Sequence, residues 1–264
     1  MAERAATRVR RSRSLCVMQT STPFVYPPLD TLKRVANDVW IVDGPLIRFG
    51  PPGLKMPFPT RMTVIRQSGA LFIHSPTPLM PDLRTELEAL GQPRWIVGPN
   101  RLHYWWIPDW HRAFPGADVY LAPRIVEQAR GRIDFAYRPL DRDQGYSWDT
   151  FITTLRVAGS FMTEVIFFHQ PSRTLLAADL IENFETEKVP FLWVRGLMWL
   201  GGVLAPDGQM PRDMRLSYRG QRAALRQAVK RMIALAPDRI IIAHGRWFES
   251  DGTAQLQRAF RWLL

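Results

Sequence analysis

Four apolar runs in this chain are each followed by a polar side chain or a polar loop, and that pattern narrows the possible folds more than any other feature. Leu71-Phe72-Ile73 runs into His74, and Trp95-Ile96-Val97 into a loop that reaches Tyr104. Thr174 to Ala178 runs into Asp179, and Arg239 to Ala243 into His244. Runs this short, apolar and bounded by turn residues read as strands buried in a sheet. A strand end delivers a side chain to the sheet rim without burying it in the core. The second run is the most informative. Gly98-Pro99 ends its strand, and the loop that follows carries Asn100, Arg101, His103 and Tyr104. A helix is expected from Pro108, since proline at a first turn loses no hydrogen bond, and Pro115-Gly116 should end it before a strand at Val119. A strand, a polar loop at its carboxyl end and a covering helix are the usual way an α/β sheet presents a site.

The remaining elements follow the same reasoning. Val39 to Val42, Met62 to Ile65 and Leu71 to His74 read as strands, the last two joined by the Ser68-Gly69 turn into a hairpin. Leu83, Leu87 and Leu90 have helical spacing. Arg124 to Arg130 reads as a short helix in an otherwise loop-like stretch up to residue 150. Phe151 to Val157 and Glu164 to His169 read as strands. Phe191 to Leu204 is apolar with only Arg195 charged, and too short to span a bilayer. Its simplest reading is a helix buried against the core; a peripheral membrane or protein contact through 191–204 is the alternative. Gly220 to Ala236 is amphipathic, with Leu225, Val229, Met232 and Ile233 on one face and Arg222, Arg226 and Lys230 on the other. Thr253 to Leu264 reads as a closing helix. The residues therefore point to one domain of α/β or α+β type over 31–264, preceded by a basic, disordered tail at 1–30.

Composition limits the chemistry. The single cysteine, Cys16, excludes an intramolecular disulfide and a cysteine-based zinc site, so any metal must be held by His, Asp or Glu. The net charge of +11 is concentrated at both ends of the chain. That charge favours acidic partners, but no aromatic–basic recognition motif accompanies it, and no specific nucleic-acid partner is expected. Residues 1–22 hold five Arg and no secretory apolar stretch. With no signal and no disulfide, the cytoplasm is the default compartment.

His103, Asp179 and His244 together form the common composition of a zinc or non-haem iron site with open positions for water or substrate. Each also has a plain structural reading: a strand-end histidine usually makes a structural hydrogen bond, and Asp179 could cap a turn. His111 and His169 read as surface residues.

The segments Leu71-Phe72-Ile73-His74-Ser75, Gly98-Pro99-Asn100-Arg101-Leu102-His103-Tyr104, Thr174 to Leu180 and Ile242-Ala243-His244-Gly245 resemble, in that order, the metallo-β-lactamase superfamily. They are most similar to a bacterial family of unknown function with a Pro-Asn-x-x-His loop. The resemblance covers roughly 31–264 and implies an α+β fold, an αββα sandwich of two mixed sheets with the site along one sheet edge. The superfamily's His-x-His-x-Asp-His motif is degenerate here. His103 stands at its Asp position, Tyr104 at its last His, and Asn100 and Arg101 in the region of its first two. Ser160, after Gly159, replaces a further ligand. Asp179 matches the bridging Asp and His244 the last His. What survives belongs mainly to the second metal position, which implies at most one divalent metal (zinc, iron or manganese).

Two functions are compatible with these residues. One is a metal-dependent hydrolase acting on an ester, thioester, amide or phosphoester of an unidentified small molecule. Its metal ligands would be His103, Asp179 and His244, with His103 and Asp179 catalytic. Asn100, Arg101, Tyr104 and His74 would contact substrate, Arg101 through an anionic group. Trp105, Trp106 and Trp110 could wall an apolar pocket. The other is a non-catalytic binding or interaction module on the same fold, holding no metal. Redox chemistry at a single iron also fits the ligand set, and nothing in the chain selects it.

Overall fold

A computed structural model describes residues 23–50 and 55–264. The expectation for residues 1–22 lies outside the described residues. Residues 23–30, read from the sequence as part of the tail, pack on the body of the protein: Phe24 and Val25 are buried, and the Phe24 N–H donates to the Lys188 carbonyl at 2.9 Å.

Seven strands form the first sheet in chain order: β1 (Lys33–Ala36), β2 (Val39–Phe49), β3 (Met56–Gln67), β4 (Ala70–His74), β5 (Gln92–Gly98), β6 (Asp118–Leu121) and β7 (Arg138–Pro139). The first four are antiparallel neighbours, and β4 to β7 are parallel. Parallel neighbours need a crossover, supplied by α1 (Pro81–Leu90), α2 (Ile107–Ala113) and α3 (Ile125–Ala129). The second sheet holds β8 (Ile152–Val157), β9 (Glu164–His169), β10 (Thr174–Leu176) and β11 (Arg239–Ile241) in the order β11-β10-β9-β8, with only β10 and β11 parallel. Both sheets are mixed.

β9 shows why its sequence is an unbroken apolar run rather than an alternating one. Val165 and Phe167 face the first sheet, where Phe167 meets Phe72 at 5.2 Å between ring centroids. Ile166 and Phe168 face the opposite way, toward Val229 and Met232 of α6 (Arg222–Ala234) and Leu256 of α7 (Gly252–Ala259). A strand covered on both faces has no solvent side on which to place polar residues. The layers are therefore helix, sheet, sheet, helix, an α+β sandwich. Trp148, with its ring 5.1 Å from Phe72, fills the space between the sheets.

Two expectations are corrected. The apolar segment after Phe191 does form a helix, α4 (Leu192–Gly201), but it is not buried against the core. Only Val194 and Met198 face inward, onto a small cluster with Phe184 and Val203. Leu192, Trp193, Trp199 and Leu200 are exposed, because a single short helix that is apolar all round can cover only one of its sides. His169, read as a surface residue, is buried at the end of β9, where its Nδ1 pairs with the Ser172 hydroxyl at 2.7 Å. Between α4 and α6 lies a one-turn helix, α5 (Met214–Ser217). Among the described residues no helix is long and apolar enough to cross a membrane.

Candidate metal centre

The site is assembled from strand ends of both sheets. β5 stops at Gly98, where a Cβ would sit 2.7 Å from the Ile125 side chain and 2.9 Å from that of Ile107. Only glycine lets the chain pass between α2 and α3 there. The Pro99 carbonyl accepts from the Val165 N–H of β9 at 2.8 Å, which links the loop to the second sheet. Asn100, fully buried, then closes a turn: its Oδ1 accepts from the Leu102 and His103 N–H groups at 2.8 and 3.2 Å. This turn directs the His103 ring inward, and its Nδ1 pairs with the Ser75 hydroxyl, just past β4, at 2.6 Å.

Asp179 follows β10. The N–H groups of Ala178 and Asp179 have no strand partner beyond the end of β10, and both donate to the Glu164 carboxylate at 2.8 and 2.9 Å. His244 follows β11. The next residue, Gly245, sits at φ +92°, and a Cβ there would lie 2.1 Å from the Asn183 carbonyl oxygen, so glycine is required. Arg61 of β3 reaches across and donates to the Ile242 and Gly245 carbonyls at 2.6 and 2.9 Å, bracketing His244.

These three side chains meet. One ligand atom from each of His103, Asp179 and His244 lies within 4.8 Å of the others. His103 Nε2 is 3.3 Å from Asp179 Oδ2, and His244 Nε2 is 3.0 Å from Asp179 Oδ1. The His244 tautomer follows from its other nitrogen. Nδ1 lies 2.7 Å from the Pro59 carbonyl, which can only accept, so Nδ1 carries a proton. Nε2 then faces the Asp179 carboxylate oxygen 3.0 Å away, and its lone pair is free to meet an ion placed between them. The residues fit a metal: two imidazoles oriented through their outer nitrogens and one carboxylate, the arrangement that ion-binding histidines adopt.

Burial would push the Asp179 carboxyl up, but His103 and His244 outweigh it and hold the group well below the ordinary carboxylate range. Burial, reinforced by Asp179, pushes Glu164 up to about 7. Burial likewise pushes Glu182 up to about 8, against the pull of His244.

The other sequence-derived candidates separate by position. Asn100, expected to contact substrate, is fully buried and does not line the cavity; its amide donates instead to Asp179 Oδ2 at 2.7 Å. Tyr104 lines the cavity above it, with its hydroxyl on the Gln128 carbonyl at 3.2 Å. His74 does not line the cavity; it is buried beside Phe167, burial and His103 pull it down to about 3, and its Nε2 makes no hydrogen bond. Arg101 also turns away, donating to the Phe161 carbonyl and to Gln128 at 3.1 and 2.5 Å. Ser160 bonds the Ser217 carbonyl at 2.8 Å, also away from the cavity. Trp105 and Trp106 line the cavity, whereas Trp110 is core and donates to the Thr77 carbonyl. Sequence reasoning missed Ser75, Glu164, Arg61 and the role of Glu182. Ser75 directly after His74 and Glu182 three residues after Asp179 were visible signals; Glu164 and Arg61 gave none.

No protein-family model and no curated protein matches this sequence. Solved structures do match in shape. The DIM-1 metallo-β-lactamase, from a crystal exposed to ceftazidime, superposes with a TM-score of 0.58 at 13% identity, covering 90% of this chain and 95% of that one. FIM-1 from Pseudomonas aeruginosa, in its mono-zinc form, gives 0.58 at 11% identity over 91% and 95%. A metallo-β-lactamase from Pontibacter korlensis gives 0.56 at 10% identity over 88% and 97%. At such identities the likeness establishes the fold.

Proposed function

We propose that this chain, which has the metallo-β-lactamase fold, is a metal-dependent hydrolase whose single ion is held by His103, Asp179 and His244. The observation that carries the reading is the convergence of three ligand atoms within 4.8 Å, with both imidazoles fixed through their outer nitrogens. Among the described residues this is the one cluster of three His, Cys, Asp or Glu side chains placed to hold an ion. A divalent metal in such a site polarises a carbonyl or phosphoryl oxygen and lowers the pKa of bound water.

The protein's own groups then have distinct tasks. Ser75 and the Pro59 carbonyl hold the two rings. Asn100 donates to Asp179 Oδ2 and fixes the carboxylate plane. Asp179 stays ionised and can orient the attacking water by accepting its hydrogen bond. Glu182, on the cavity wall beside the cluster, is placed to face a leaving group.

The test is metal analysis of purified protein after expression with added zinc, manganese or iron. About one equivalent is expected, falling strongly in His103→Ala and His244→Ala, together with metal-dependent turnover of generic esters. A second reading, a non-catalytic module on the same fold, is favoured by the exposed apolar side of α4. No retained metal under any of the three supplements would select it.

A further inference from the structure

The cavity above the three ligands has two kinds of wall. Its volume is about 340 Å³, in the range of small-molecule sites. One side is His103, Asp179, Glu182 and His244; much of the rest is Ile47, Phe49, Met56, Phe58, Trp105 and Met214. The chain carries a net charge of +11, yet no Lys or Arg stands among the described residues lining this cavity. Its carboxyl-bearing lining groups are Asp179, Glu182 and Asp213, of which Asp179 and Asp213 bring negative charge.

The cations nearby are bonded to other groups. Lys55 donates to the Gly50 carbonyl at 2.8 Å, Arg132 to the Trp105 carbonyl at 2.7 Å, Arg212 to the Leu200 carbonyl, Arg215 to the Met210 carbonyl and Gln209, and Arg101 to Phe161 and Gln128. An anionic group on a bound molecule, away from the ligand cluster, would find no Lys or Arg among the described residues of the wall. It would also be stripped of water against apolar side chains, an unfavourable transfer for an unpaired charge, and face like charge at Asp213. An alkyl or acyl chain loses nothing there and buries apolar surface.

We propose that the cavity takes a neutral acyl substrate whose hydrocarbon chain lies against Ile47, Phe49, Met56, Phe58 and Met214, and that it rejects substrates carrying an anion on that chain. The scissile bond rests on the hydrolase reading above; the chain specificity rests on the cavity alone. In the reaction, water's oxygen bonds to the acyl carbon and the bond from that carbon to oxygen, sulfur or nitrogen breaks. The leaving group departs with a proton from the water, and the second stays with the acid product.

The probe is a homologous series of neutral 2-alkanones, which resemble the acyl group and cannot be hydrolysed, titrated calorimetrically into the full chain. Affinity is expected to rise about fourfold per methylene until the cavity fills. Ketones of matched length ending in a carboxylate should bind at least about tenfold more weakly. Met214→Arg, which brings a cation to the wall, should reverse that order. Flat affinity along the series, or equal or tighter binding of the carboxylate-ended ketones to the unaltered protein, overturns the proposal. In parallel, turnover of p-nitrophenyl alkanoates and metal content are measured. Chain-length-dependent ketone binding without metal or turnover would remove the hydrolase and leave the acyl pocket. Metal and turnover without chain-length dependence would remove the acyl pocket and leave the hydrolase.

Discussion

Arg61 is the most informative residue to remove, because one buried side chain joins the two sheets and frames His244. Its Nε and Nη2 both reach Asp43 Oδ1, at 2.8 and 2.7 Å, and its Nη1 serves the carbonyls on either side of His244. The side chains of Arg61 and Asp43 are 1% and 4% exposed. Breaking a buried ion pair by deleting one partner costs about 3–5 kcal/mol. Here Lys33 still contacts Asp43 Oδ2 at 2.7 Å, which points to the lower end. Two carbonyls also lose a charged donor, each worth about 1.5–3 kcal/mol before non-additivity. Arg61→Leu should therefore cost about 4–6 kcal/mol, a large share of the roughly 5–15 kcal/mol available to a typical protein. At about 2–4 °C per kcal/mol for a chain of this size, Tm falls by about 10–20 °C. The control is Arg66→Leu, whose pair with Asp38 is also 2.7 Å but 40% and 44% exposed. That pair is worth about 0–1 kcal/mol. Thermal melts of both variants in chelator, followed by circular dichroism, check the difference. Equal shifts would refute the reasoning, since distance alone would then decide and burial would not matter.

Asn100→Ala removes the acceptor for two loop N–H groups and the donor to Asp179. It should weaken zinc binding about 10- to 100-fold, read by chelator competition, while unchanged affinity would remove Asn100 from the centre. Gly245→Ala places a Cβ 2.1 Å from the Asn183 carbonyl oxygen at φ +92°, so it should cost roughly 2 kcal/mol or more and displace His244, seen as lost metal uptake with a lowered denaturation midpoint. Burial pulls His169 down to about 4 from 6.5, with Asp38 opposing. Between those values the unfolded chain binds a proton that the folded one refuses, so stability is lost as pH falls from 6.5 to 4. His169→Gln should flatten that slope in urea titrations at pH 7 and pH 5; an unchanged slope would assign the acid sensitivity to other groups.

The elements were readable where one local rule decided them. Apolar runs ending at Gly98, Asp179 and His244 are strands in the structure because both faces of these sheets are covered, and Pro108 marks the first turn of α2 as its missing N–H requires. The failures share a different cause. The outer side of α4, the burial of His169 and the outward turn of Arg101 depend on what lies opposite each residue, which spacing along the chain does not encode. β7, only two residues long, exists because β6 offers an unpaired edge to Arg138 and Pro139.

The site divides along the same line. His103, Asp179 and His244 follow strand ends and so leave a mark in the sequence. The groups that hold them come from elsewhere in the chain: Ser75 lies 28 residues from His103, and Pro59 lies 185 from His244. Such pairs are joined by sheet order, and no motif can record them. This also bears on the degenerate pattern around residues 100–104. Substitution at ligand positions reads as decay when only residue types are compared. Asn100 is fully buried, uses both ends of its amide, and holds Asp179 in place. A residue so fully employed sets both the loop and the Asp179 carboxylate, which a comparison of residue types at this position does not show.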